Sequence, residues 1–130
     1  MFGFGKKKED PNRKALREEF ETVTQALRQA DEVVQIAVGH AINMANSIFY
    51  QSYSTPSEFQ KLPKTKQIEY IKKLTNMEVG LREEKNDPHS SIGFGLFKMW
   101  VGALSENDTE LLNQFNSELS YFSQKGDLGF

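Results

Sequence analysis

The chain has 130 residues, which is enough for one hydrophobic core, and it contains no cysteine. The absence of cysteine excludes a disulfide framework, a zinc–thiolate site, an iron–sulfur cluster and a thiol nucleophile. Sixteen basic and eighteen acidic residues give a formal net charge of −2, which argues against a dedicated nucleic-acid-binding protein. We expect one helical domain over residues 11–130, no metal site and no cofactor.

Residues 1–10 are expected to be a flexible basic tail, which begins with two phenylalanines, two glycines and three lysines. A secretory signal requires basic residues first and then an apolar stretch of about 7–15 residues, and this order is not found. The expected localisation is therefore cytoplasmic. Three lysines near an anionic membrane surface contribute about 1 kcal/mol each, so weak membrane contact by the tail is one expectation and an inert end is the other.

The strongest pattern of the sequence is an apolar period of 3.5 residues in its first half. Alternating steps of four and three connect ten side chains: Leu16, Phe20, Val23, Leu27, Ala30, Val34, Ala37, Ala41, Met44 and Ile48. This period predicts one long helix over about residues 12–53. Pro56 limits its end, because the residue before a proline is disfavoured in the α region. Gly39 is the expected weak point of the helix.

The charged first half of this helix carries four large apolar residues: Leu16, Phe20, Val23 and Leu27. At 1.5 Å per residue the helix would be roughly 60 Å long, which exceeds the dimensions of so small a domain. Either the later helices fold back along this half or a second copy of the chain covers it. We predict a homodimer in which these four side chains form the contact surface.

The second half of the helix lies in an uncharged stretch, residues 33–57, and is expected to be the covered centre of the bundle. It is too polar to span a membrane. His40, Asn43, Ser47 and Tyr50 recur on one face of it and form a candidate wall of a small ligand pocket. The alternative is a hydrogen-bonded network or a subunit contact, because burial of an unpaired polar group costs about 1–3 kcal/mol.

Three to four further helices are expected after residue 53. The sequence Thr55-Pro56-Ser57-Glu58 is a capping box that starts a short helix, which ends at Pro63. A helix over about residues 64–86 follows, with Ile68, Ile71, Leu74, Thr75 and Leu81 directed inward.

Residues 92–104 contain a single charged side chain and predict a buried helix. A second capping box at residues 107–110 starts the last helix, and Lys125-Gly126 marks its expected end. No segment shows sustained strand alternation. The predicted fold class is therefore all-α, a helical bundle built around one long N-terminal helix.

No motif indicates an enzyme. His40 and His89 are the two histidines, and the chain contains neither Glu-x-x-His repeats nor a phosphate-binding glycine loop. The lysines between residues 61 and 73 flank Tyr70, but acidic residues interrupt them, and we expect a solvated helix face or a patch that docks an acidic protein rather than nucleic acid.

These observations predict a non-enzymatic protein–protein interaction or regulatory module that self-associates through the long helix. The alternative is a ligand-binding or catalytic domain that uses the polar stripe. A membrane-surface or nucleic-acid accessory protein is the third class.

Overall fold

The computed structural model describes residues 9–128, which form six helices and no strand. The helices are α1 (Pro11–Arg28), α2 (Glu32–Ser52), α3 (Pro56–Gln60), α4 (Lys64–Glu83), α5 (Pro88–Ser105) and α6 (Thr109–Leu128). The all-α fold class is thereby confirmed. Most of the expected basic tail lies outside the described residues, and the division into a tail and one domain stays a prediction.

The single long helix predicted over residues 12–53 is wrong, because the chain turns between α1 and α2. The turn occupies residues 29–31, and Asp31 has the extended backbone angles φ −57° and ψ 150° that start a new helix. Gly39, where we expected the weak point, lies inside α2 and is buried. The break therefore occurs at three residues that include neither glycine nor proline, and the apolar period does not reveal it.

A side chain from the next helix explains the position of this break. The carboxamide of Gln35 donates hydrogen bonds to the carbonyl oxygens of Leu27, Arg28 and Ala30, at 2.9, 3.2 and 3.3 Å. These carbonyls lie at and just beyond the end of α1, where helical backbone partners run out. The Leu27 carbonyl accepts one further hydrogen bond, from the backbone N–H of Ala30 at 3.1 Å. The buried amide thus stabilises the end of α1.

The central helix of the bundle is α5, which contacts all five other helices. Nearly all of its residues from Ser91 onward are buried, which confirms the buried helix predicted from its low charge. Gly93 permits the close approach of α2, because a Cβ atom at this position would lie 2.6 Å from the Cβ atom of Ala41. The absence of a side chain here brings the two backbones together.

The α2 and α6 helices approach each other even more closely. A Cβ atom on Gly39 would lie 1.8 Å from the carbonyl oxygen of Phe122, and one on Gly126 would lie 2.5 Å from the carbonyl carbon of Gly39. The predicted helix end at Lys125-Gly126 is wrong, because α6 continues to Leu128. Gly126 thus serves as a contact point between helices and not as a helix terminator.

An aromatic cluster around Phe49 joins the second to the fifth helices. The ring centroids of six residues lie 5.2–6.0 Å from that of Phe49: Tyr50, Tyr53, Phe59, Tyr70, Phe97 and Trp100. Most of these pairs meet edge to face, the arrangement that aromatic rings prefer. The cluster places Tyr70 inside, whereas Ile68, which we expected to face inward, is 50% exposed.

Candidate functional site

The outward side of α2 is an uncharged surface that the other described helices leave largely exposed. It consists of Val33, Ala37, His40, Met44, Ser47 and Ile48, which we call the outer strip. Val33 is 71% exposed and Met44 is 49% exposed, while Val38, Ala41 and Ala45 on the opposite side face the core. The uncharged stretch is therefore covered on its inner side only, and an apolar surface without charges remains on its outer side.

Asn43, one of the four predicted pocket residues, connects α2 to α6. Its amide nitrogen donates to the carbonyl oxygen of Ser123 and to the carboxylate of Asp127, both at 3.1 Å. Its amide oxygen accepts a hydrogen bond from the Ser123 hydroxyl at 2.5 Å. With these partners Asn43 holds the two helices in register.

The remaining three pocket residues do not come together. His40 and Ser47 line an open depression of about 430 Å³ that Asp127 closes at one end. Tyr50 lies on the other side of Asn43 and faces a separate crevice. The predicted stripe is therefore divided between two surfaces, with Asn43 as their common boundary.

The crevice beside Tyr50 has a volume of about 240 Å³ and lies where α2, α5 and α6 meet. Its lining includes Asn46 and Asn116 at the rim and Trp100 among the apolar residues, and it contains no charged side chain. Trp100 is buried, and its indole N–H has no hydrogen-bond acceptor among the residues described. The sequence reasoning missed these three residues, although the single tryptophan of the chain marks the position.

The four predicted interface residues face this chain's own core. Phe20 is fully buried and stacks on Phe115 of α6, with ring centroids 3.8 Å apart. Leu27 is also buried, and Leu16 and Val23 are partly buried against the same cluster. The later helices of the same chain therefore fold back along this surface, which is the first of the two possibilities that the sequence left open.

Ion pairs attach the start of α1 to the corner between α5 and α6. Arg13 contacts the carboxylates of Asp108 and Glu110, each at 2.6 Å, and also pairs with Glu9. The hydrogen bond from Arg17 lowers the pKa of Glu9 to about 2, and that from Arg13 lowers the pKa of Asp108. Both carboxylates therefore stay ionised well below neutral pH.

The remainder of α1 lies across a groove from α6. Apart from the Phe20 stack, Arg28 bridges the groove with an ion pair to Glu118 at 2.8 Å, and its guanidinium group lies 3.7 Å from the ring centroid of Tyr121. The groove has a volume of about 600 Å³. Long side chains, rather than close backbone packing, hold α1 in place.

Two of the lysines between residues 61 and 73 make contacts within the chain. Lys64 donates to the carbonyl oxygen of Ser105, and Lys66 pairs with Glu69 at 3.7 Å. Tyr70 is only 6% exposed, and burial raises its pKa to about 12. The ring is therefore not available to stack on a base, which single-strand binding sites need.

Within residues 9–128 no group of three or more histidines and acidic residues is placed to hold a metal ion. Over the same residues, no helix combines the length and the hydropathy that crossing a bilayer requires. Comparison of the chain with protein-family models, curated proteins and solved structures found no match. The function is therefore argued from the geometry of the chain itself.

Proposed function

We propose that the protein is a non-enzymatic helical interaction module that self-associates, with the outer strip of α2 as its contact surface. The observation that carries this proposal is an apolar, uncharged surface on a chain whose other exposed helix faces are rich in charge. The proposal assigns no catalytic residue and no cofactor. It keeps the cytoplasmic localisation expected from the sequence.

A second copy of the chain is the occupant that best fits this strip. Two identical strips meet across a two-fold axis without opposing like charges on the strips themselves. Asp127 borders the strip, where Asn43 donates to its carboxylate at 3.1 Å. An antiparallel arrangement places Val33 of one copy near Ile48 of the other, with His40 and Met44 close to the axis. The absence of charge gives the strip no feature by which it would select a strongly acidic or basic partner.

The size of the strip limits the strength of such a dimer. From Val33 to Ile48 the strip is about 23 Å long, and with a helix width of about 10 Å it covers a few hundred Å² on each copy. Stable interfaces bury about 1,200–2,000 Å² in total. A dimer held by the strip alone is therefore expected to be weak.

The test compares two charge substitutions at equally exposed apolar positions. Met44 on the strip is 49% exposed, and Ile68 on α4 is 50% exposed. Sedimentation velocity of the wild type up to about 1 mM, a concentration suited to weak association, measures the dimer fraction. We expect Met44→Glu to abolish the dimer and Ile68→Glu to leave it unchanged, with both variants as helical as the wild type.

Two results would contradict this proposal. One is a wild-type chain that remains monomeric at about 1 mM. The other is equal loss of association in the two variants, because that would mean the strip has no special part in the contact.

A second candidate function, binding of a small neutral ligand, is favoured by the crevice beside Tyr50. An apolar wall with a few convergent polar groups is typical of ligand sites. The buried indole N–H of Trp100 finds no acceptor in the described part of the chain, and such a group is costly unless something pairs with it. The uncharged lining fits a neutral ligand with hydroxyl or carbonyl groups.

Fluorescence of the single tryptophan tests this second candidate. A neutral disaccharide and a neutral nucleoside serve as probes, each titrated into the wild type and into Asn116→Ala. Saturable quenching in the wild type that weakens in the variant supports a site in the crevice. A linear response that is the same in both proteins refutes it.

A further inference from the structure

Two corners of the fold share one construction. At the corner between α3 and α4, the amide of Gln67 donates to the carbonyl oxygens of Phe59, Gln60 and Leu62 at 3.2, 3.2 and 3.0 Å. These acceptors lie eight, seven and five residues before Gln67, and the three acceptors of Gln35 lie at the same offsets. The two turns thus have equivalent hydrogen bonds, which makes their sequences directly comparable.

The two corners differ at the residue that starts the second helix. Asp31 has φ −57° and ψ 150°, and Pro63 in the equivalent position has φ −57° and ψ 148°. A proline inside a helix lacks the N–H donor and clashes with the carbonyl four residues before it. Pro63 therefore keeps the α3–α4 corner bent, whereas the α1–α2 corner has no residue that forbids a helix.

A straight conformation at residues 29–31 meets no residue that forbids a helix. These residues are Gln, Ala and Asp, with no glycine or proline among them. Gln29 already has helical angles, φ −93° and ψ −5°, and Asp31 departs from the helix in ψ. Rotation to a helical ψ at Asp31 is thus one change that joins α1 and α2 into one helix.

The apolar period supports the straight form as well. It continues through the turn without a change of phase, from Leu27 to Ala30 and then along α2. The members of the period on α2 are Val34, Ala37, Ala41, Met44 and Ile48, and among them only Ala41 is buried. In the bent chain these apolar positions are therefore partly uncovered. A straight helix places them in line with the apolar positions of α1.

We infer that two copies of this chain exchange their α1 helices, with residues 29–31 as the hinge. In the exchanged dimer α1 and α2 form one helix over residues 11–52, and Phe20 stacks on Phe115 of the partner subunit. Each contact that α1 makes in the single chain is available unchanged from a second copy. Leu16, Val23 and Leu27 then become contacts between copies.

The inference rests on the proposed self-association. The exchange replaces the contacts of α1 within one chain by the same contacts between copies, so the straight hinge and the outer strip are what favour the dimer at equilibrium. Dissociation of the exchanged dimer then also requires α1 to leave the partner subunit. Val33, which at 71% is the most exposed large apolar residue among those described, lies two residues beyond the hinge. In the exchanged dimer the two hinges cross, and this apolar position lies next to the crossing.

The test uses substitutions at the hinge that leave every exchanged contact intact. Asp31→Pro copies the α3–α4 corner and disfavours a straight helix by about 100-fold per hinge, from the cost of proline inside a helix. Asp31→Ala removes a residue with low helix propensity and favours the straight form by about threefold per hinge. We expect dimer formation to be lost in the first variant and increased in the second, with unchanged helix content in both monomers.

Cross-linking shows which chain supplies α1. The protein has no cysteine, so Glu21→Cys and Gln114→Cys introduce the only two thiols, at positions whose side chains meet at 2.6 Å across the groove. A short bismaleimide then joins them. A covalent dimer in denaturing electrophoresis is expected for the wild-type hinge at high concentration, and only a cross-linked monomer is expected with Asp31→Pro.

The possible failures are distinguishable. If the protein dimerises but all cross-links stay within one chain, the exchange is refuted, and loss of that dimer in Met44→Glu leaves the strip proposal standing. If neither the wild type nor Asp31→Ala dimerises at any concentration tested, both proposals are refuted.

Discussion

The substitution Gly39→Ala tests how α2 and α6 are held together. The added Cβ atom would lie 1.8 Å from the carbonyl oxygen of Phe122 and 2.8 Å from the backbone nitrogen of Gly126. Both neighbours belong to a helix backbone and cannot rotate away as a side chain can. An ordinary contact of about 3.4 Å therefore requires the two helices to separate by about 1.6 Å at this point.

This separation has an energetic cost that exceeds the intrinsic benefit of alanine. Overpacking in a well-packed core costs about 1–3 kcal/mol, and the stretched hydrogen bonds of Asn43 add about 1 kcal/mol. Alanine in a helix is favoured over glycine by about 1 kcal/mol. We expect Gly39→Ala to lower the free energy of unfolding by about 1–3 kcal/mol.

Gly80 and Gly102 provide matched controls, because a Cβ atom at either position would meet nothing within 4 Å. Both lie inside helices, so their replacement by alanine retains the propensity gain and is expected to stabilise the protein by about 0.5–1 kcal/mol. Urea unfolding followed by circular dichroism measures all three variants. A Gly39→Ala protein as stable as the two controls would refute the close approach of α2 and α6.

Three further outcomes are expected. Phe20→Ala should lower the free energy of unfolding by about 3–5 kcal/mol in urea titration, because the fully buried ring that stacks on Phe115 at 3.8 Å is lost. A change below about 1 kcal/mol would place this ring outside the core. Stability should fall as the pH decreases from 4.5 towards 2, because Arg17 lowers the pKa of Glu9 in the folded chain and the unfolded chain therefore binds protons first. Thermal melts of the wild type and of Glu9→Gln across this range of pH measure the effect. An equal dependence of the melting temperature on pH in the two proteins speaks against it. Gln35→Leu and Gln67→Leu should each cost about 1–3 kcal/mol. Gln67→Leu should be the more costly, because the amide oxygen of Gln67 accepts a hydrogen bond from the hydroxyl of Ser105 at 2.5 Å, whereas that of Gln35 accepts a longer one from Tyr121 at 3.4 Å. The reverse order in urea unfolding would contradict this reasoning.

The local signals in the sequence predicted much of the helical structure. Thr55 caps α3 through its side chain as the capping box requires, and the low charge of residues 92–104 correctly indicates the buried α5. Both features depend on residues that are close in the sequence. Propensity and capping act at this range, so the sequence carries them directly.

The break between α1 and α2 depends instead on a contact that the period does not encode. In the sequence Gln35 is one polar residue among several on an uncharged helix. In the structure its amide stabilises the end of the preceding helix. The recurrence of the same residue type at the α3–α4 corner is visible only once the hydrogen bonds are known. A prediction based on periodicity alone therefore joins the two helices.

The candidate site was predicted only in part for a related reason. His40 and Tyr50 share a helix face by their spacing, but the side chains from α6 divide that face at Asn43. The crevice beside Tyr50 is completed by Asn116 and Trp100 from two other helices. Positions that meet only through tertiary packing leave no trace in the spacing of one helix.

The central position of α5 has a consequence for the synthesis of the protein. The closest helix pairs of the described chain all include α5 or α6, which are the last two helices to be made. Chains fold as they emerge, beginning at the N-terminus, so the first four helices leave the ribosome before their partners exist. Phe20 then lacks the ring of Phe115, and Phe49 lacks those of Phe97 and Trp100, until α5 and α6 have emerged. The nascent chain is thus expected to depend on chaperones until Phe115 has emerged.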